Sequence, residues 1–353
     1  PSRKPFVGGR VLGLAHAVVF GLAFPPFNAW GLSFAALLPL LIVAMRTEGA
    51  WRSALGVLLG VLPMWMWHHG WIMRVTALGY PLLVLCLSLY PALFVLTIAR
   101  MRRRLPISAL WVVAPVLWAG LEVVRGEVLF TGYPWFLLAH PLIEVGPIAR
   151  SSGVVGVYAL SAGVAIPSAV VCAHLVGGWK SARVGAVVML FVILLPSMAP
   201  TPTPTQRTER IVVVQTAVPQ DNRSAWTPEQ RLEDFRRAML LTVDAVKRWP
   251  DTALLVWPET MFPGFTLEPA TLATVRPRFS TPFADAVEEV SAELIGGVPW
   301  LIGAIAVDGY TITEMPSGQP PEESWDARYN SVYLFEEGRA TARYDKQRLA
   351  PFG

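Results

Sequence analysis

Seven stretches of about twenty apolar residues, crowded into the first two hundred positions, restrict this chain more than anything else in it. They run over roughly 7–24, 28–45, 52–73, 79–99, 107–124, 151–176 and 182–199. A helix needs about 20 mostly apolar residues to cross the hydrocarbon of a bilayer, and inside lipid only a helix or a closed barrel satisfies its own backbone. The sequence therefore predicts a polytopic α-helical membrane bundle of about seven spans. Pro25-Pro26 separates the first two runs and predicts a tight turn there. Prolines 39, 63, 91, 115 and 167 fall within spans, where neighbouring helices can satisfy the freed carbonyls.

Composition matters here because it is uneven. Of 353 residues, 54% are hydrophobic and only 15% charged, and the mean hydropathy is +0.47. Soluble domains carry about 25% charged residues. The deficit lies in residues 1–200, while residues from 205 onward have ordinary globular composition. This predicts a transmembrane domain over 1–200, a linker over 201–209 and a second domain over 210–353. Thr201-Pro202-Thr203-Pro204-Thr205 within the linker favours an extended chain.

The net charge of +4 and pI near 9.2 do not point to nucleic acid, because no basic face with interleaved aromatics is present. The basic residues sit between apolar runs, where they set topology. With a cytoplasmic N-terminus, eleven fall on the cytoplasmic side: Arg3, Lys4, Arg10, Arg46, Arg52, Arg100, Arg102, Arg103, Arg104, Lys180 and Arg183. Three, Arg74, Arg125 and Arg150, fall on the other side. That bias orients the bundle, and seven crossings then place the second domain outside the cytoplasm.

Cys86 and Cys172 both lie in apolar runs and read as small packing residues rather than a disulfide or a metal site. The loop over 125–150 holds Arg125, Glu127, Phe130-Thr131-Gly132-Tyr133-Pro134-Trp135-Phe136 and His140. Its aromatics suit either interfacial anchors or a wall facing substrate. Trp65, Trp67, His68, His69 and Trp71 pose the same choice; the adjacent histidines point to different sides of a helix and make a poor metal pair. Charged residues are almost absent from span interiors, which argues against a transporter; Glu122 is the exception.

In the second domain, 211–215, 253–257 and 300–307 are short apolar runs that predict buried strands. Helices are predicted over 228–248, with Thr227 as N-cap and Pro228 at the first position, and over 281–293. Residues 330–335 and 340–344 predict a hairpin turning at Glu336-Glu337-Gly338-Arg339. Alternating strands and helices followed by a hairpin suggest an α/β layered domain.

Glu259 follows the strand that ends in Trp257-Pro258, and Lys346 follows Arg343-Tyr344-Asp345. A carboxylate at a buried strand end is partly desolvated, which raises its pKa towards general-base use, and a nearby lysine limits that rise. The same lysine suits an oxyanion. By charge type alone a structural ion pair is the better reading of the two.

Trp257-Pro258-Glu259, Tyr329-Asn330-Ser331, Tyr344-Asp345-Lys346 and Leu349-Ala350-Pro351-Phe352-Gly353 together resemble the nitrilase (carbon–nitrogen hydrolase) superfamily. Leu22-Ala23-Phe24-Pro25-Pro26-Phe27, Thr131-Gly132-Tyr133-Pro134-Trp135, and Val214-Gln215 with Pro219-Gln220 and Trp226 narrow the resemblance to its membrane branch, the apolipoprotein N-acyltransferases. The resemblance covers essentially the whole chain. It implies an αββα sandwich for the second domain and a Glu–Lys–Cys triad, with Glu259 as general base and Lys346 stabilising the tetrahedral intermediate. A cysteine thiolate would take an acyl chain from a membrane phospholipid. It would pass that chain to the α-amino group of the diacylglyceryl-modified N-terminal cysteine of an apolipoprotein, in the bacterial inner membrane and without metal or organic cofactor. Trp226 either lines that site and binds substrate or is a surface aromatic; Asn330 is expected beside the substrate as a binding residue, and with Ser331 it shapes the strand there rather than carrying chemistry.

The resemblance places the nucleophile well downstream of Lys346, and no cysteine follows Lys346 in this sequence. The sequence is thus expected to be a fragment at both ends, with an incomplete second domain and no activity of its own. Two other functions fit less of the chain: a membrane-tethered amidase or nitrilase, and a non-catalytic membrane scaffold or binding protein.

Overall fold

A computed structural model describes residues 4–128, 132–194, 208–217, 227–313 and 322–347, with side chains of the helix that ends at 194 described as far as residue 188. The described residues divide into two compact units, 4–194 and 208–347.

The first unit is helical. Its elements are α1 (Lys4–Ala23), α2 (Leu38–Arg46), α3 (Ala50–His69), α4 (Gly79–Met101), α5 (Leu110–Val123), α6 (Gly146–Val155), α7 (Val157–Gly177) and α8 (Trp179–Leu194). Among the described residues, four helical stretches are long and apolar enough to cross a membrane: Lys4–Ala23, Gly79–Met101, Ile107–Val128 and Val157–Gly177. The other three runs behave differently. The run at 28–45 opens as a 3-10 turn over Trp30–Ala35 and is a helix only from Leu38. The third run, α3, has the length, but its histidines, tryptophans and Arg52 lower its hydropathy. The last run is described as a helix only over Trp179–Leu194. The sixth run starts at Val157 rather than 151, because Gly156 at φ +79° breaks the chain between α6 and α7.

Two helix faces identify the solvent this unit is built for. Val7, Val11, Leu14 and Val18 recur at helical spacing along α1 and are all exposed. Leu82, Leu85, Leu89 and Leu93 do the same along α4. Continuous exposed stripes of this kind are aggregation surfaces in water and lipid contacts in a bilayer. The unit is a membrane domain.

The inner faces are built from small residues. Gly9 and Gly13 on α1 meet Gly56 and Gly60 on α3. A Cβ at Gly13 would come 2.9 Å from the Cα of Val57, and one at Gly60 2.8 Å from the backbone N of Leu14. With lipid outside, close backbone contact between such residues replaces hydrophobic collapse as the force joining helices. Polar side chains then fasten irregular segments to this pair and to α7. His16 Nδ1 donates to the Ala36 carbonyl at 2.7 Å, and Ser168 Oγ to the Phe34 carbonyl at 2.8 Å. Arg102 donates to the carbonyls of Met45 and Thr47, closing the C-terminal end of α2.

The second unit is a mixed α/β layer. Its strands are β1 (Arg210–Val213), β2 (Thr252–Val256), β3 (Trp300–Asp308), β4 (Thr311–Thr313), β5 (Glu322–Ser324), β6 (Ala327–Glu336) and β7 (Arg339–Asp345). A five-stranded sheet runs in the order β1-β2-β3-β6-β7; β1, β2 and β3 are parallel, and β6 and β7 antiparallel. β4 and β5 form a separate ribbon, which the sequence did not signal. Helix α9 (Pro228–Arg248) links β1 to β2, and α10 (Pro269–Val275) and α11 (Pro282–Glu289) link β2 to β3. Thr227 caps α9 with a complete capping box: its side chain accepts from Gln230 N, and Gln230 Oε1 accepts from Thr227 N. The β6–β7 turn is the two residues Glu337 (φ 50°) and Gly338 (φ 80°), the pair of positive φ angles that a tight hairpin requires.

The sheet has two unlike faces. Leu255, Trp300, Ile302, Ala304, Tyr333 and Phe335 are buried with Phe235 and Met239 of α9 and Val287 of α11. On the other face the register aligns Ile211, Val213, Val256, Leu301, Gly303, Val332 and Tyr344. Ile211, Val213 and Tyr344 of that face are exposed. One apolar face is thus covered by helices and the other is half open among the described residues.

Candidate active site

Glu259 stands where the chain leaves β2. The ladder continues one residue past the strand, with Trp257 N donating to the Leu301 carbonyl at 2.8 Å, and Phe262 N then donates to the Gly303 carbonyl at 3.1 Å. Between these bonds the backbone crosses directly over β3. A Cβ at Gly303 would sit 2.8 Å from the Cα of Glu259. Only glycine allows that approach, and Thr260 takes a left-handed φ of 54° to turn the chain back. The indole of Trp257 fixes the strand end from below: it donates to Thr242 Oγ1 of α9 at 2.8 Å and packs edge-on against Trp300.

Lys346 approaches from the opposite edge. It follows β7, and its backbone N donates to the Asn330 carbonyl at 2.8 Å. Its Nζ lies 2.7 Å from Glu259 Oε1. Asn330 Nδ2 donates to the same carboxylate oxygen. Residues 71 and 87 positions from Glu259 in sequence therefore converge on one oxygen. Alternation along β6 and β7 puts Asn330, Val332 and Tyr344 on the half-open face with Gly303. There they help line a cavity of about 460 Å³ with Trp257, Glu259, Ser331, Lys346 and Gln347. That size admits a small organic group.

The Lys346 ammonium, hydrogen-bonded to Glu259, holds its carboxyl below the usual carboxylate range. Burial pushes the other way and is outweighed, with Asn330 adding to the depression. The desolvation expected at this strand end is thus present, but the lysine decides the sign. Glu259 is ionised at neutral pH and able to accept a proton, and Lys346 offers N–H donors to an oxyanion.

A second network on the helix-covered face holds β7 in place. Arg343 bonds Glu268 Oε2 at 2.7 Å, Asp308 Oδ1 at 2.7 Å and Asp345 Oδ1 at 3.0 Å. Asp345 in turn accepts from Ser331 Oγ at 2.6 Å. Arg343 lowers the carboxyl pKa of Asp308 and is itself raised, chiefly by that same bond. Asp345 and Ser331 adjoin Lys346 and Asn330, so the network sets the backbone from which both reach Glu259. Sequence reasoning passed over Arg343 and Gly303. A glycine inside an apolar strand run was a visible signal of close backbone approach; the partners of Arg343 are too scattered along the chain to show.

Trp226 lies outside the described residues, as do Phe130, Thr131 and Pro351-Phe352-Gly353. Cys86 is half-buried in α4 and Cys172 buried in α7. Among the described residues no three His, Cys, Asp or Glu side chains are placed to hold a metal ion. In the helical unit, Phe136 packs against His68 and His69, each at 5.0 Å between ring centroids. Trp135 and Trp71 stack at 5.9 Å, both exposed. The loop is thus part core and part exposed aromatic pair, and it walls a cavity of about 270 Å³ with Phe24, Pro25 and Ile143.

Residues 16–170 match the family description "Apolipoprotein N-acyltransferase N-terminal domain". Over the whole chain the sequence is 26% identical to the apolipoprotein N-acyltransferase of Photobacterium profundum, of which it covers 65%. Its counterparts from Rhodopseudomonas palustris and Geobacter metallireducens are each 26% identical over 97% of the chain and 64% of their own length. The chain therefore spans a little under two thirds of the length of these curated relatives.

Proposed function

The chain belongs to the apolipoprotein N-acyltransferase family, and from that premise we propose that it carries the membrane unit and the Glu–Lys part of a site for acyl transfer between lipids. The donor is a membrane phospholipid. The acceptor is the α-amino group of an apolipoprotein's N-terminal S-diacylglyceryl-cysteine. The observation that carries the proposal is the 2.7 Å contact of Lys346 Nζ with Glu259 Oε1 at the wall of a 460 Å³ cavity.

In this scheme Glu259 takes the proton of a cysteine thiol, whose reference pKa of about 8.5 leaves it mostly protonated at neutral pH. The thiolate attacks the ester carbonyl. Lys346 donates to the oxyanion that forms. Collapse breaks the ester C–O bond, and Glu259 returns its proton to the departing lysophospholipid oxygen. The acceptor amine then attacks the thioester, Glu259 takes the amine proton and the thiolate leaves. The nucleophile is a cysteine other than Cys86 and Cys172, both of which sit in helices suited to crossing a membrane. Trp226 is a candidate to line the substrate channel.

The half-open sheet face with exposed Ile211, Val213 and Tyr344 supports an αββα sandwich, in which a second sheet covers this face and encloses the cavity. The eleven-to-three bias of basic residues supports seven spans in the bacterial inner membrane with the second unit outside the cytoplasm.

The test is to express the reading frame that contains this sequence in cells depleted of their own apolipoprotein N-acyltransferase. Mass spectrometry of a mature lipoprotein N-terminus should show the third acyl chain, and Glu259→Gln and Lys346→Met should abolish it. Hydrolysis of small amides without acyl transfer would establish the amidase reading. Neither activity, from a well-folded protein, would leave a scaffold.

A further inference from the structure

Glu122 and Arg125 lie one helical turn apart where α5 passes into the π turn Val124–Val128. Both are deeply buried, at 3% and 5% exposure. Charges at membrane depth are expected to pair, yet among the described residues no ion pair joins these two. Each instead holds the backbone of the segment that follows. Glu122 Oε1 accepts from Leu138 N at 2.7 Å and from Trp118 Nε1 at 2.9 Å. Arg125 Nη2 donates to the Phe136 carbonyl at 3.0 Å, and the Arg125 carbonyl accepts from Tyr133 N at 2.8 Å.

This division of labour leaves Glu122 Oε2 and Arg125 Nε without a hydrogen-bond partner. Of the other buried atoms in that condition, two lie close by in the fold: His16 Nε2 on α1 and Trp65 Nε1 on α3. All four side chains line a single cavity of about 10 Å³, together with Phe20, Tyr90, Pro91, Trp118 and Leu121. Four polar atoms left dry at this depth would be costly.

Their hydrogen-bonding capacities are complementary. Indole Nε1 and guanidinium Nε only donate, and a carboxylate oxygen only accepts. His16 Nδ1 faces the Ala36 carbonyl at 2.7 Å and must donate to it, so Nε2 of the neutral ring is an acceptor. With Glu122 ionised beside Arg125, two donors and two acceptors therefore belong to side chains that line a space at the lower limit for one water molecule, about 10–15 Å³. A cation would face two N–H groups, and an anion would face a carboxylate. Only an amphoteric molecule of water's size fits.

We propose that this cavity is a specific site for one internal water, which accepts from Trp65 Nε1 and Arg125 Nε and donates to Glu122 Oε2 and His16 Nε2. The water joins α1, α3 and α5 and completes an indirect Glu122–Arg125 pair. It leaves the direct bonds of both residues free to hold the aromatic segment 133–138. The site is independent of the transfer reaction.

X-ray hydroxyl-radical labelling of the full chain in lipid nanodiscs, run in ¹⁸O water, tests this directly, because radicals form from bound as well as bulk water. Trp65 and Trp118 should incorporate ¹⁸O severalfold faster than Trp300, which is as buried as Trp65 and has an unpartnered Nε1 too, but lines no part of this cavity. Leu121→Phe, which fills the space and keeps all four polar groups, should bring Trp65 down to the rate of Trp300. Trp65 and Trp300 labelling equally slowly in the unsubstituted protein would overturn the proposal. So would undiminished Trp65 labelling in a folded Leu121→Phe protein.

Discussion

At the scale of the residue, the candidate site rests on one carboxylate oxygen held by two donors. Lys346 and Asn330 both favour the charged form of Glu259, so removing either raises its pKa. Asn330→Leu is the milder change. If Glu259 is the base, the acidic limb of the pH–rate profile of the complete enzyme should move to higher pH, because a carboxyl with a raised pKa stays protonated further up the scale. Glu259→Gln should lower transfer by about 10²–10⁴-fold, the usual contribution of a general base. Arg343 makes a separate prediction. Arg343→Met leaves Glu268, Asp308 and Asp345 without their shared cation and should cost about 1.5–3 kcal/mol, the range for hydrogen bonds to charged groups. The folded pKa of Asp308 is depressed, so this stabilisation is present above the unfolded carboxylate pKa and is lost as pH falls through the folded value. The gap in melting temperature between the two proteins should close on acidification from neutral pH to below about 4.

Glycines decide two contacts at the scale of the element. Between α1 and α3 they let two backbones touch, and Gly13→Leu should push the helices apart at about 1–3 kcal/mol, the usual cost of overpacking. Thermal unfolding in detergent would read it, with Gly8→Leu as control, since a Cβ at Gly8 meets nothing within 4 Å. In the sheet, Gly303→Val would displace Pro258 and Glu259 from β3 while leaving β3 a good strand. Activity should fall as far as in Glu259→Gln, with little loss of secondary structure by circular dichroism. A fully active Gly303→Val protein would show that the close approach is not needed.

The whole molecule joins a unit designed for lipid to one with ordinary globular composition. The proposed topology places their junction outside the cytoplasm. A reporter active only outside the cytoplasm should be active when fused after Thr208 and silent when fused after Arg104; the reverse pattern would invert the bundle. Much of this organisation was legible in the chain. Apolar length, proline position and β-branched runs are local signals, and they located most of the helices though not α6 or α10, the strands of the main sheet, the capped start of α9 and the β6–β7 hairpin. Burial against neighbours is not local. The sequence did not reveal the break at Gly156, because apolar residues continue on both sides of it, nor the β4–β5 ribbon, whose residues apart from Ile312 are polar and exposed. Glu259 and Lys346 could be singled out as a pair from their motifs, since each follows a recognisable strand. That they meet at 2.7 Å, that Asn330 shares the same oxygen and that Arg343 braces the strand behind them depended on the order in which β2, β3, β6 and β7 lie side by side. Hydrophobic patterning along a chain says which face of a strand is buried. Only the closed set of backbone hydrogen bonds between strands says which distant residues come together.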